Sequence, residues 1–292
     1  MNMQHAAPRS RFFGPEHSRL HYVEWGNVEN DAVVLVHGGR DHCRNWDSVA
    51  QALCKDWHVI APDLRGHGDS AWSSDGDYAI NTYVYDLAQL VAELDAPTIR
   101  LVGHSLGGGI ATRYAGLFPE KIERLVAIEG LRPLASGQVT QDAPPLLVRL
   151  REWVENKQTF NAHGGRRFQS IDEACERMQE ANHHLSGAQA RHLTEHGLRK
   201  CDDGSYRWKF DRRLRFSMPL DISDAELHEI WSNISCPTLL MYGRDSWASP
   251  PNNDGRLNFF QDARVVEYEN AGHWLHHDQV ERFVEDLIGF LS

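Results

Sequence analysis

The pentapeptide at residues 103–107, G-H-S-L-G, constrains the fold of this chain more than any other stretch. It directly follows residues 99–102, a short apolar run that predicts a buried strand. It precedes residues 108–118, which predict a helix. A serine in the turn between a strand and a helix is typical of a nucleophile elbow, whose strained backbone presents the hydroxyl above the sheet. The flanking glycines fit this turn for Ser105, because the strand and the helix approach too closely for side chains.

Strand and helix patterns alternate on both sides of this turn. The predicted strands are 20–25, 32–36, 57–61, 99–102 and 124–128, and the predicted helices are 45–53, 81–94 and 108–118. Short, continuous apolar runs such as residues 32–36 are expected for strands that are covered on both faces. Strands that alternate with helices of this length indicate a mostly parallel, doubly wound sheet, so we predict an α/β fold.

The alternation stops after residue 130 and returns near residue 237. In between, the sequence predicts helices over 146–155, 171–182 and 187–200 and an extended segment over 206–210. Beyond it, the sequence predicts strands over 238–242 and 263–268 and helices over 253–260 and 279–291. We therefore predict an α/β core of residues 1–130 and 233–292 with a mainly helical cap, 131–232, inserted as a lid. The alternative is a second domain with a separate function.

Composition excludes several classes of function. The formal net charge of −11 argues against nucleic acid or an anionic membrane surface as a partner. The five cysteines are odd in number, dispersed and without a C-x-x-C pair, which indicates reduced thiols rather than a disulfide framework or a metal site. We see neither a signal peptide nor an apolar run long enough to span a membrane, so we expect a cytoplasmic protein.

A serine hydroxyl needs a base and two oxyanion donors to act as a nucleophile. His273 follows the last predicted strand in a short loop, from which it can reach back over the sheet to Ser105. We predict it as the base. One oxyanion donor is expected from the backbone N–H of Leu106, directly after the nucleophile. The other is expected from Gly39, in the H-G-G turn after the strand at residues 32–36.

Together these motifs resemble an α/β-hydrolase fold serine hydrolase. The matching pieces are H-G-G at 37–39, D-L-R-G-H-G-D-S at 63–70, G-H-S-L-G-G at 103–108 and G-H at 272–273. They occur in the family order and cover both halves of the core, leaving the insert unmatched. The resemblance implies a Ser–His–acid triad, and it implies that residues 63–70 form a structural loop.

The acid has two candidates. In the family it usually follows the penultimate strand in a pattern like G-x-x-D, but here that segment, G-R-D-S, places Asp245 one residue early and Ser246 at the expected position. A shift of one residue on an extended segment turns a side chain to the opposite side, although a bulge can restore it. Glu129 caps the strand after the elbow helix, where some members of the superfamily carry the acid. A buried carboxylate there needs a partner, which His273 would supply. We favour Glu129 and keep Asp245 as the alternative.

Other residues complete the predicted site. Trp247 and Trp274 flank the candidate acid and base, so we expect them to line the substrate pocket together with Arg40 and His104. His104 is expected to point away from Ser105. His192 and His196 lie four residues apart on a predicted helix, but without an evident third ligand we interpret them as solvent-facing rather than metal-binding.

The sequence thus predicts a cofactor-free serine hydrolase of a small or medium carboxylic ester, or of a lactone. Serine instead of aspartate at position 105 argues against a dehalogenase or an epoxide hydrolase, which need a carboxylate nucleophile. A carbon–carbon bond hydrolase and a cofactor-free perhydrolase use the same triad and stay open. A ligand-binding or signalling protein on a hydrolase fold is the alternative outside enzymology. The expected partner is a small-molecule substrate, and a homodimer is a possible assembly.

Overall fold

A computed structural model describes residues 7–132, 144–160, 165–216 and 219–292 of the 292-residue chain. Eight strands of this part of the chain belong to one sheet: β1 (Arg9–Phe13), β2 (Leu20–Trp25), β3 (Ala32–Val36), β4 (His58–Pro62), β5 (Ile99–His104), β6 (Ile122–Ile128), β9 (Thr238–Gly243) and β10 (Ala263–Tyr268). Their order in space is β1-β2-β4-β3-β5-β6-β9-β10. A separate hairpin pairs β7 (Leu198–Lys200) with β8 (Tyr206–Trp208).

The sheet is antiparallel only at β1 and β2, and all pairs from β4 to β10 are parallel. The carboxyl ends of the parallel strands therefore share one edge, where open α/β sheets bind their ligands. Strands β3, β4 and β5 are buried at every position, as continuous apolar runs covered on both faces require.

Helices cover both faces of the sheet, which confirms the predicted doubly wound α/β fold. The helices are α1 (Asp47–Leu53), α2 (Ile80–Glu93), α3 (Leu106–Leu117), α4 (Leu146–Thr159), α5 (Ile171–Ala181), α6 (Gly187–Gly197), α7 (Asp224–Ser232), α8 (Leu275–Asp278) and α9 (Val280–Leu291). Helices α2, α3 and α7 pack on one face, with Leu90, Ile110 and Trp231 in its core. Helices α1 and α9 pack on the other, with Leu53 and Phe283 in its core.

Between β6 and β9 the described residues form α4 to α7 and the β7–β8 hairpin, and none of them adds a strand to the main sheet. This segment meets the core through buried or half-buried polar contacts. Arg113 donates to Asp221 (2.6 Å), and the Tyr78 hydroxyl donates to Asp211 (2.6 Å). The division into core and cap stays a prediction, and residues 133–143, 161–164 and 217–218 of the predicted cap lie outside the described residues.

Several local predictions were wrong at their ends. The helix predicted over 253–260 is two short 3-10 turns, Pro251–Asn253 and Arg256–Phe259, separated by Gly255 with a φ of 83°. The last three residues of the helix predicted over 187–200 form β7 instead, because they pair with β8. The helix predicted over 45–53 begins as a 3-10 turn before α1. Among the described residues, no helix has the length and apolar character needed to cross a bilayer.

Candidate active site

Ser105 lies in the sharp turn between β5 and α3. Its backbone has φ 52° and ψ −114°, a strained conformation for a residue with a side chain, and its N–H donates to the carbonyl oxygen of Ile128 (2.8 Å). A Cβ at Gly103 would lie 2.3 Å from the Gly107 carbonyl oxygen, and one at Gly107 would lie 2.3 Å from that of Val36. Both glycines are therefore required by close backbone approach, as the sequence predicts. The turn leaves Ser105 half-buried at the carboxyl edge of the sheet.

Glu129 and His273 meet at the same edge. Glu129 follows β6, the strand beside β5, and His273 follows β10. The Glu129 Oε2 accepts a hydrogen bond from Nδ1 of His273, and the Glu129 side chain is fully buried. An ionised carboxylate can only accept, so Nδ1 carries the proton and Nε2 is left as an acceptor. That is the tautomer a general base for a serine needs.

Two further donors hold the Glu129 carboxylate. The Gly243 N–H donates to Oε1 (2.8 Å), and the Ser246 hydroxyl donates to Oε2 (2.6 Å). The Glu129 backbone has a φ of 49°, and its N–H donates to the Met241 carbonyl oxygen (3.0 Å). Three donors on one carboxylate stabilise its charged form in a buried position. Sequence reasoning missed this role of Ser246, although the G-x-x-S spacing marks the residue.

Asp245, the alternative acid, lies elsewhere. Its side chain is exposed, and its backbone N–H donates to the carbonyl oxygen of Ala271 (2.9 Å). No bulge returns it to the site, so the neighbouring Ser246 takes the inward position instead. The geometry brings Glu129, and not Asp245, to His273.

We expect Ser246→Ala to lower kcat for ester turnover about tenfold with little change in KM. The substitution removes one charge-assisted hydrogen bond to the carboxylate that orients His273, and such a bond contributes about 1.5–3 kcal/mol. Ser246→Thr keeps the hydroxyl and should restore most of kcat. Ser249→Ala makes the same change at an exposed position three residues further on and serves as the control. A kcat for Ser246→Ala equal to that of the control would contradict a positioning role.

The predicted oxyanion donors, Gly39 and Leu106, lie against each other. A Cβ at Gly39 would lie 3.9 Å from a methyl group of Leu106. The preceding peptide is fixed by His37, whose Nε2 accepts from the Leu64 N–H (3.0 Å) and whose Nδ1–H donates to the Gly38 carbonyl oxygen (2.7 Å). The Gly39 N–H belongs to the same peptide plane as that carbonyl, so the imidazole also sets the direction of the N–H.

A second buried histidine braces this loop. His67 Nε2 accepts from the Arg40 N–H (2.9 Å), and its Nδ1–H donates to the Arg65 carbonyl oxygen (2.9 Å). Burial lowers the pKa of His37 to about 3 and that of His67 to about 4. Both rings therefore stay neutral near pH 7 and keep the tautomers that these hydrogen bonds need.

The four residues predicted to line the substrate pocket lie in different environments in the structure. His104 is 1% exposed, and its Nε2–H donates to the His273 carbonyl oxygen (2.8 Å), so its prediction as a substrate contact was wrong. This hydrogen bond holds the backbone of the loop that carries His273. Trp247 is 75% exposed with its ring 4.9 Å from that of His273, and Trp274 is half-buried against Leu193. Arg40 is exposed directly after Gly39.

Within the described ranges, two groups of side chains have the composition of metal ligands. His21, Cys43 and Asp63 are buried together, but the Asp63 carboxylate already accepts from His21 Nδ1 (2.7 Å) and the Cys43 N–H (2.7 Å). Burial also raises the pKa of the Cys43 thiol well above its ordinary value, so it stays protonated. This group is structural and fixes the loop that begins at Asp63.

The second group is Asp47, His192 and His196, so the interpretation of the two histidines as solvent-facing was wrong. His192 Nε2 lies 3.3 Å from Asp47 and joins α6 to α1. The Arg44 guanidinium donates twice to the same carboxylate, at 2.8 and 2.5 Å. A cation already occupies the position that a metal would take.

We expect the free energy of unfolding to fall as the pH drops from about 6.5 to about 4. Seven histidines in the described part of the chain have pKa values lowered chiefly by burial: His37, His42, His67, His104, His196, His276 and His277. The unfolded chain protonates them near pH 6.5, so it binds more protons in this window and is favoured. The carboxyls of Asp41, Asp86 and Asp278 oppose this trend, because burial raises their pKa values, that of Asp41 to about 8, and the folded chain therefore binds their protons first. They are fewer than the histidines.

Urea midpoints at pH 7.5, 6.0 and 5.0 would measure this trend. Each histidine contributes up to about 1.4 kcal/mol per pH unit within its window. His67→Gln should make the dependence shallower, whereas His17→Gln, at an exposed position, should leave it unchanged. A midpoint that stays constant or rises towards pH 5 would contradict the expectation.

Comparison with known proteins agrees with this architecture. The model of the alpha/beta hydrolase fold family matches residues 31–280. An esterase of Mycobacterium tuberculosis is 28% identical over 279 residues, which are 92% of this chain and 85% of that protein. A 3-hydroxybutyrate-oligomer hydrolase of Cupriavidus necator is 34% identical over 155 residues, 51% of this chain and 53% of that protein.

A thioesterase domain from the curacin biosynthetic pathway is similar in fold. It superposes with a TM-score of 0.85 at 24% sequence identity, covering 97% of this chain and 99% of that domain. The family model covers far more than half of the chain, and the matched range includes the Ser105 turn, strands β3 to β10 and the His273 loop. The chain therefore belongs to the α/β-hydrolase family and is a hydrolase.

Proposed function

We propose that this enzyme is a serine esterase that cleaves small or medium carboxylic esters, or lactones, through an acyl-enzyme. The observation that carries the proposal is the hydrogen bond from His273 Nδ1 to the buried Glu129 carboxylate, beside the strained elbow that holds Ser105. A histidine oriented by a buried acid at a serine elbow is the arrangement that nucleophilic acyl transfer requires.

In the first half-reaction the Ser105 Oγ attacks the ester carbonyl carbon while His273 Nε2 accepts the hydroxyl proton. The imidazolium that forms is stabilised by Glu129. The backbone N–H groups of Gly39 and Leu106 donate to the oxyanion of the tetrahedral intermediate. Collapse of the intermediate breaks the carbon–oxygen bond, and His273 donates the proton to the leaving alcohol.

In the second half-reaction His273 Nε2 accepts a proton from water, which attacks the acyl carbon bound to Ser105. The same two N–H groups hold the second oxyanion. Breaking the bond to Ser105 releases the carboxylic acid, and the proton returns to the serine oxygen. Water and ester are consumed and acid and alcohol are released, so the cycle needs no cofactor.

We further propose that residues 131–232 cover this site as a lid. The Gln189 side chain of α6 donates to the His277 carbonyl oxygen (2.9 Å), in the turn that follows the base. Trp274, next to His273, packs against Leu185 and Leu193 of the same segment. Side chains of the inserted segment thus contact the loop of the base, where a lid would shape the acyl pocket.

The esterase relative and the oligomer hydrolase, whose named substrate is linked by ester bonds, support an ester as the substrate class. The test is hydrolysis of nitrophenyl esters of increasing acyl length together with a set of lactones. We expect turnover within the ordinary enzyme range of about 1 per second or faster for the best ester. A folded protein without turnover on any of these compounds would overturn the proposal.

A further inference from the structure

A pocket lined by charged side chains lies in the inserted segment, next to the proposed active site. The pocket, of about 800 Å³, lies between two stretches of the insert, at residues 157–160 and 165–167 and at residues 207–216, and the core loop at 72–75. Of the described residues that line it, eight are arginine or lysine and two are aspartate. The chain as a whole has the opposite balance, with a net charge of −11. The pocket is therefore a local region of positive charge in an acidic protein.

The two aspartates of the pocket are already engaged. Asp211 accepts from the Tyr78 hydroxyl (2.6 Å) and from Arg213 Nε (2.8 Å). Asp75 accepts from the Ser73 hydroxyl (2.5 Å) and from the Asp77 N–H (3.0 Å). Asp211 is thus paired with Arg213, and Asp75 is held by neutral donors, so these two carboxylates are outnumbered by the cations of the pocket.

Four of the pocket's guanidinium groups have no carboxylate partner within 4.0 Å in the described part of the chain: Arg40, Arg166, Arg207 and Arg215. Two of them stack on aromatic rings of the same pocket. Arg207 lies 5.5 Å from the Trp72 ring centre, and Arg215 lies 5.7 Å from that of Phe160. A stacked guanidinium keeps its in-plane N–H donors for a carboxylate or a phosphate.

Arg40 connects this pocket to the proposed oxyanion site. It is the residue after Gly39, its N–H is held by His67, and its side chain lines the pocket. A substrate with its scissile carbonyl at Gly39 could therefore extend its far end among the arginines. A cleft lined by one sign of charge raises the local concentration of ligands of the opposite sign.

We propose that this pocket binds the anionic end of the substrate, so that the enzyme prefers esters that carry a carboxylate or a phosphate remote from the scissile bond. The aromatic rings between the arginines accommodate the apolar chain that links the two ends. This inference rests on the proposed esterase function and names its substrate class.

Matched esters test the preference. The 4-nitrophenyl monoester of adipic acid and 4-nitrophenyl hexanoate share a six-carbon acyl chain and differ in a terminal carboxylate. We expect kcat/KM to be about tenfold higher for the charged ester, mainly through KM, because a charge-assisted hydrogen bond contributes about that factor. The advantage should shrink as NaCl is raised to about 0.5 M. An analogous ester that ends in a phosphate shows whether the pocket prefers a phosphate or a carboxylate.

Substitutions locate the effect. In the double variant Arg207→Gln, Arg215→Gln the ratio of charged to neutral kcat/KM should fall towards one. The control is Arg177→Gln, Arg191→Gln on α5 and α6, whose exposed arginines lie outside the pocket. The control should keep the wild-type ratio. Equal use of both esters by the wild type, or an unchanged ratio in the pocket variant, would overturn the inference.

Binding without turnover separates this inference from the esterase proposal. Calorimetry with the Ser105→Ala protein uses inorganic phosphate and adipate as probes. Binding of either probe that the Arg207, Arg215 double variant loses supports the pocket even if no ester is cleaved. Binding of neither probe overturns the pocket while ester turnover leaves the esterase proposal intact.

Discussion

Ser105→Ala should lower ester turnover about ten-thousandfold or more. The substitution removes the oxygen that forms the acyl-enzyme, and the remaining N–H donors and the imidazole can only assist direct attack by water. The measurement is the initial rate with the best nitrophenyl ester under saturating substrate, with the melting temperature as a check on folding. Any nitrophenol release above the uncatalysed rate should be small.

The matched control is Ser232→Ala, the same change at an exposed position at the end of α7. It should retain wild-type kcat and KM. If Ser105→Ala keeps more than a few per cent of the activity, the nucleophile is another group and the proposed mechanism is wrong. Such a result would leave the family assignment untouched, because that depends on the whole fold.

Glu129→Gln should lower kcat about a thousandfold. The amide can donate to His273 Nδ1 as well as accept from it, so the tautomer with a free Nε2 acceptor loses its support, and the imidazolium loses its counter-charge. The Gly243 N–H would still hold the amide oxygen at the Oε1 position, and the Ser246 hydroxyl can accept from the amide nitrogen at the Oε2 position. The loss should therefore appear in kcat with KM nearly unchanged.

Asp245→Asn is the paired variant, since it makes the same chemical change in the other candidate acid. Its side chain is exposed, and we expect kcat within about twofold of the wild type. The reverse ranking of the two variants would assign the acid to the loop after β9. Near-equal losses would indicate that both carboxylates support His273.

The turn at Ser105 and the position of His273 after the last strand could be predicted because each depends on local sequence. A short stretch of sequence is enough to predict the strand–turn–helix pattern around Ser105. The same holds for the loop after the last strand. The acid was harder to predict, because two strands, β6 and β9, end side by side at the same edge. A shift of one residue on the loop after β9 decides between them, and that shift places Ser246 rather than Asp245 on the Glu129 carboxylate.

Other features depend on contacts between distant segments and could not be predicted. The His104 ring is buried because the His273 loop, 169 residues away, closes over it. His192 was interpreted as solvent-facing because its partner, Asp47, belongs to a helix far away in sequence. The cationic pocket forms only where the insert meets the loop at residues 72–75. In each case the periodicity of the hydrophobic residues predicts one helix or strand, but it does not predict the distant segment against which that element packs.

The strand order of the sheet also has a consequence for biosynthesis. The proposed nucleophile, acid and oxyanion donors lie within residues 39–129, whereas His273 follows β10, which pairs only with β9 among the described strands. A ribosome releases the first group well before the second, since domains are made from the N-terminus. A nascent chain would hold an elbow and an acid without the imidazole that joins them. Hydrolytic competence would then be acquired in the last step of folding, when the C-terminal strand reaches the sheet.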